Sequence, residues 1–300
     1  MSDPVTASPT DPKTGYSLWY TYQTHETEGN YIIIDTEGNV TGNIKYTMHG
    51  ISPRALGWFY LPLGHDDPDL AAIGSLIRKN ELIGGKIFSM APTFGMRTKI
   101  FSIKADGKEA RHVLDAMKPL PEEFIEVERV IARLFTRLSS APLRVLSMDV
   151  TLEPDRIAPG ENVKASFEFR CMGKFPLEFR NPAHVARGHG VALRLNLWKK
   201  TKDDEGEHLV YVTAVDLAGK ELLIADEKAV PSGETFLHIP SGESMRMWTS
   251  LRLPKLDPEK YTIEAIYVGN PASREEQMRR NDLVTGEFHA DIKELTIMKT

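Results

Sequence analysis

From Leu146 onward, apolar side chains fall at every second position in one segment after another, with no helical stretch of any length between them. Leu146, Met148, Val150 and Leu152 alternate with Ser147, Asp149 and Thr151; Val163, Ala165, Phe167, Phe169 and Cys171 alternate with Lys164, Ser166, Glu168 and Arg170. A period of two belongs to a strand with one buried face and one wet face. The segments at 191–197, 245–253, 261–267 and 288–292 repeat it, separated by turns such as Ala158-Pro-Gly-Glu161, Pro231-Ser-Gly-Glu234 and Pro240-Ser-Gly-Glu243. About seven such strands without a helix predict an all-β sandwich for this half of the chain.

The first half reads differently. Tyr31-Ile-Ile-Ile-Asp35 and Val40 flank Thr36-Glu-Gly-Asn39, a glycine-bearing hairpin loop, and Ala105-Asp-Gly-Lys108 carries the Asp-Gly hairpin signal. Two helices are expected. One follows Asp66-Asp-Pro-Asp69, with Leu70, Ile73, Leu76 and Ile77 at helical spacing; the other opens at Pro119-Leu-Pro121-Glu-Glu123. The second has a wide stripe of Phe124, Val127, Val130, Ile131, Leu134, Phe135 and Leu138, which must be buried against a sheet. Ser139-Ser-Ala-Pro142 ends it. The expected organisation is a polar, proline-rich flexible arm at 1–14, an α+β domain at 15–142 and an all-β sandwich at 143–300.

Leu256-Asp-Pro258-Glu-Lys-Tyr261-Thr-Ile263 resembles the tyrosine corner of immunoglobulin-like sandwiches. Glu153-Pro154 through Ile157, Pro159-Gly160-Glu161 and Val163, then Phe175-Pro-Leu177-Glu-Phe179, resemble bacterial immunoglobulin-like modules, including the intracellular proteinase inhibitor group. The end, Thr285-Gly-Glu-Phe288 into Ile292-Lys-Glu-Leu295-Thr-Ile297, is similar to their closing strand. The resemblance covers roughly residues 143 to 300 and implies an Ig-like fold for them. For function it implies binding roles such as toxin-neutralising immunity proteins and inhibitors of intracellular proteases. The cysteine pair of antibody domains is absent, and residues 1–142 match no clear family.

A net charge of -5 in 300 residues argues against a dedicated nucleic-acid binder, which would be strongly basic. No run of about eighteen apolar residues suggests a membrane span, and the amino terminus lacks a secretory pattern, so the expected address is the cytoplasm. The single cysteine, Cys171, fits a reducing compartment and sits on an apolar strand face, where core packing outweighs reactivity. P-loop, dinucleotide, zinc-protease and nucleophile-elbow motifs are missing; Gly242-Glu-Ser244-Met-Arg246 fails the elbow because position 246 is not glycine. No cofactor is expected.

Two loops carry the candidate chemistry. Phe179-Arg180-Asn-Pro-Ala-His184-Val-Ala-Arg187-Gly-His189 offers Arg180, His184, Arg187 and His189 as partner or anion contacts, and Ser273-Arg274 through Arg279-Arg280 offers a second contact loop. His184 and His189, and separately His65 with Asp66, are weak metal candidates, although helix capping already accounts for Asp67 and Asp69. Charge is also patterned: residues 167–200 carry +5 and residues 203–243 carry -8, which either pair with each other or steer a charged partner. The leading expectation is a non-enzymatic binding protein with a protein partner. The alternatives are a metal-assisted hydrolase using His184 and His189, and a structural subunit whose edge strands pair with a neighbour.

Overall fold

The computed structural model describes residues 15–24, 27–45, 55–91, 97–184, 192–203, 206–217, 220–224, 229–230, 234–269, 283–290 and 293–299. The chain divides into two compact units, Met1–Ile44 with Trp58–Pro142, and Lys45–Gly57 with Leu143–Thr300.

In the first unit β1 (Tyr16–Thr24), β2 (Thr27–Ile34) and β3 (Asn39–Ile44) form an antiparallel meander. The β2–β3 turn closes because the Asp35 carboxylate accepts from the Glu37 and Asn39 amides, each at 2.9 Å, while Gly38 takes a left-handed φ of 79°. After β4 (Ala55–Pro62) the chain forms helix α1 (Pro68–Lys79), then the hairpin of β5 (Arg97–Ala105) and β6 (Lys108–Asp115), with β5 lying against β1. Asp106 and Gly107 both have positive φ, as the two-residue primed turn requires.

Helix α2 (Glu122–Leu138) buries its whole apolar stripe, Phe124 to Leu138, on this sheet. Phe124 meets Phe101 with ring centroids 4.7 Å apart, and Tyr20 meets Phe101 at 4.9 Å. Asp67 fixes the other helix twice: its side chain caps α1 at the Asp69 and Leu70 amides, and it accepts a two-point bond from Arg137 of α2 at 2.7 and 3.1 Å.

The second unit contains β7 (Pro142–Glu153), β8 (Arg156–Ile157), β9 (Asn162–Cys171), β10 (Leu177–Arg180), β11 (Leu193–Asp203), β12 (Gly206–Asp216), β13 (Phe236–Ile239), β14 (Ser244–Arg252), β15 (Lys260–Val268), β16 (Leu283–Val284), β17 (Glu287–His289) and β18 (Lys293–Ile297). Among the described residues the strands of the whole chain fall into three sheets. A nine-stranded sheet runs β14-β9-β7-β4-β3-β2-β1-β5-β6, a three-stranded one β13-β10-β16, and a six-stranded one β12-β11-β15-β18-β8 with β17 on β15.

The expected α+β domain followed by an all-β immunoglobulin-like sandwich is overturned. Strand makes up 55% and helix 13%, with large antiparallel sheets and two helices among the described residues. Alternation identifies β7 and β9 as strands but is silent on their neighbours, and the neighbours decide the fold.

In the core of the second unit, Phe169 of β9, Phe179 of β10 and Tyr267 of β15 pack together with ring centroids 4.9 to 6.2 Å apart. Cys171 is buried, with its thiol near the Phe175 carbonyl at 3.2 Å. The Tyr261 hydroxyl donates back to the Asp257 carbonyl at 3.2 Å, closing the turn before β15. No described helix is long and apolar enough to cross a membrane.

The double role of Asp67 gives a stability test. Asp67→Ala removes both the α1 cap and one of the two carboxylate partners of Arg137, and is expected to cost about 2 kcal/mol, most of it the cap because Arg137 is partly solvated and keeps Asp69. Denaturant titration, with Asp66→Ala as a neutral control, checks it; equal midpoints for the two variants would refute the assignment.

Candidate functional site

The residues singled out in the sequence are not drawn into one site. Arg180 is only 3% exposed, its main-chain carbonyl accepts the buried Tyr267 hydroxyl at 3.0 Å, and desolvation holds its guanidinium below the ordinary arginine range. His184 is half-buried, its amide donating to the Asn181 carbonyl at 3.1 Å. Arg187, His189, Arg274, Arg279 and Arg280 lie outside the described residues. His65 pairs with Asp66 at 3.2 Å on an exposed surface, while Asp67 and Asp69 are engaged by Arg137. Among the described residues no group of three or more His, Cys, Asp or Glu side chains is placed to hold a metal ion.

What the fold does assemble lies on the six-stranded sheet. Leu193, Leu195 and Leu197 of β11 are fully buried, so Arg194, Asn196 and Trp198 share the opposite face. On that face Glu264 of β15 stands directly across from Asn196, and β17 brings His289 alongside β15 at Ile266. The His289 Nδ1 donates to Glu264 Oε1 at 2.6 Å, its Nε2 lies 3.5 Å from Glu287 Oε1, and Trp198 Nε1 donates to Glu264 Oε2 at 3.2 Å. Clasped by Glu264 first and Glu287 second, the imidazole is raised to about 9. Bonding to His289 in turn holds both carboxyls below the usual glutamate range. At neutral pH this histidine is therefore an imidazolium without a free lone pair. Its contacts make it a cationic clasp between β15 and β17.

The Trp198 ring links this cluster to the sheet edge. It meets Tyr211 of β12 edge-on, with centroids 5.4 Å apart. Among the described residues β12 is a terminal strand of the six-stranded sheet, paired with β11 alone. Leu209, Val210, Tyr211 and Val212 are 42, 42, 52 and 41% exposed, a run of four large apolar residues on a sheet edge. Val212 has no counterpart on β11, because the register passes from Leu197↔Thr213 to Trp198↔Tyr211, so a bulge sits there.

Neither feature emerged from sequence reasoning. Glu264 and His289 are far apart in the chain and neither belongs to a motif. The run Leu209-Val-Tyr-Val212 does carry a signal, an unbroken apolar segment where the neighbouring strands alternate, but sequence alone reads it as buried on both faces.

The clasp predicts a pH dependence. The raised pKa of His289 stabilises the fold fully below the unfolded histidine value, and that contribution is lost as pH rises through about 9. The lowered pKa of Glu264 contributes above the ordinary glutamate value and is lost as pH falls through its folded value. His289→Gln should therefore lower Tm most near pH 6, with the gap from wild type closing towards pH 10 and again in acid. A gap independent of pH, followed by thermal unfolding across that range, contradicts the ion pairing.

No family model matches the chain, and no curated protein matches it. Among solved structures it is similar to the sporulation control protein Spo0M from Bacillus subtilis, at TM-score 0.31 and 15% identity over 52% of this chain and 50% of that one. It is similar also to the alkylpurine DNA glycosylase AlkC of Pseudomonas fluorescens, bound to DNA containing an abasic site analog, at TM-score 0.27 and 11% identity over 54% of this chain and 32% of that one. A third is AvmM, which catalyses macrocyclization in alchivemycin A biosynthesis, at TM-score 0.27 and 14% identity over 52% of this chain and 89% of that one. The chain spans half the length of Spo0M and about a third of that of AlkC. Overlaps this slight carry no functional argument.

Proposed function

We propose that this protein works by binding another protein, in a role without catalysis of its own, and that β12 is where the partner docks. One observation carries the reading: four consecutive large apolar side chains stand exposed on a strand that, among the described residues, has a sheet neighbour on one side only. Water satisfies the outward backbone groups of such a strand, but it gains nothing from Leu209 to Val212. A second strand laid along the edge satisfies the backbone and buries the side chains together. Toxin-neutralising immunity proteins and inhibitors of intracellular proteases are the classes of binding protein to test first. The buried, unpaired Cys171 fits work in the reducing cytoplasm.

Photo-crosslinking in cells tests the proposal. A crosslinking side chain at Tyr211 should give a discrete adduct that the same group at Met117, 72% exposed on the first unit, does not give. Val210→Lys should abolish the adduct while changing stability by less than about 0.5 kcal/mol, as for surface substitutions generally. Identical adducts from both positions, or none from Tyr211, would remove the reading.

A further inference from the structure

The chemistry of the β12 partner is written into the ends of the strand. β12 carries Glu207 near its start and Asp216 as its last residue, with Leu209 to Val212 between them. Because of the bulge at Val212, Glu207, Leu209, Tyr211, Ala214 and Asp216 all lie on the face shared with Lys202, Lys200, Trp198, Asn196 and Arg194 of β11. Both carboxylates are exposed, and neither makes an ion pair among the described residues although Lys202 and Arg194 stand opposite them. The edge thus presents an apolar centre between two exposed carboxylates without an ion-pair partner among the described residues.

This pattern discriminates between occupants. A second copy laid antiparallel with Leu209–Val212 on itself sets Glu207 opposite Ala214 of the other copy and diagonal to its Asp216, so like charges meet at both ends of the ribbon. It must also accommodate two bulges, one from each copy. A different strand needs to match only one bulge and can place cations at both ends.

Resting on the docking role of β12, we infer that its partner is an extended segment of about ten residues from another protein, apolar at its centre and bearing Lys or Arg at each end, added to the sheet as a further strand. Since both ends of β12 are acidic, the charge pattern admits the segment in either direction.

Binding of three fluorescent, end-blocked peptides to the full chain, followed by anisotropy, tests this. One has an alternating Thr-Val centre flanked by two lysines at each end, one has the same centre flanked by glutamates, and one has the lysine flanks with proline at the centre. The lysine peptide should bind roughly tenfold more tightly than the glutamate peptide, the size two exposed ion pairs give over two like-charge contacts. The gap should close near 1 M salt, where the screening length is about 3 Å. Glu207→Gln with Asp216→Asn should also close it, whereas Glu122→Gln with Glu126→Gln on α2 should leave it open, and the proline peptide should not bind. Equal affinity for lysine and glutamate peptides, both lost in Tyr211→Lys, overturns the charge inference and keeps the docking edge. A gap that survives Glu207→Gln with Asp216→Asn overturns it as an effect of net charge. No peptide binding together with a solution dimer that Tyr211→Lys dissociates makes the occupant a second copy, and no binding by a monomer removes the docking role as well.

Discussion

The second unit depends on the meeting of Phe169, Phe179 and Tyr267. Each comes from a different sheet, so this contact is where three separately hydrogen-bonded layers share a core. Tilted and edge-on rings contribute about 0.5–1.5 kcal/mol per pair beyond the apolar area they bury. Tyr267 also brings a hydroxyl into the core, and that hydroxyl needs a partner there; the Arg180 carbonyl at 3.0 Å supplies it, tying β15 to β10. The bond fixes the end of β10 in the interior, which is why Arg180 is buried.

The first unit solves the same problem with helices. Its sheet packs Phe101 against Tyr20 and Phe124, and the apolar stripe of α2 covers them. α1 is held to α2 by charge, through Asp67 and Asp69 against Arg137 and Arg133. Because Asp67 is also the cap of α1, the acidic start of one helix and the basic end of the other stabilise each other and their own termini.

On the outer face of the six-stranded sheet the balance shifts from packing to polar contacts. Glu264 receives His289, Trp198 and Asn196, and that set joins β11, β15 and β17. Trp198 belongs to both systems, with its indole N–H in the charged cluster and its ring against Tyr211 on the open edge. Along β12 the bulge at Val212 and the exposed carboxylates of Glu207 and Asp216 break up the regular edge beside the exposed Leu209 to Val212.

Local chemistry determined much of this in advance. The stripe from Phe124 to Leu138 specified α2 and its buried face, Asp67-Pro68 specified the start of α1, and Asp106-Gly107 specified a primed turn, because each depends on residues within a few positions of one another. The alternation after Pro142 likewise specified strands and their buried sides. It could not say which strand lies beside which, since every half-buried strand has the same period, and so the nine-stranded order through β4 and β7 was invisible. The same limit hid the clasp: Glu264 and His289 are 25 residues apart, and Trp198 is 66 from Glu264, so only strand pairing brings them together. Burial in the folded chain also decided that Arg180 is interior and that Leu209 to Val212 are not, because an apolar run is covered only where the fold supplies a neighbour, and among the described residues β12 is the last strand of its sheet.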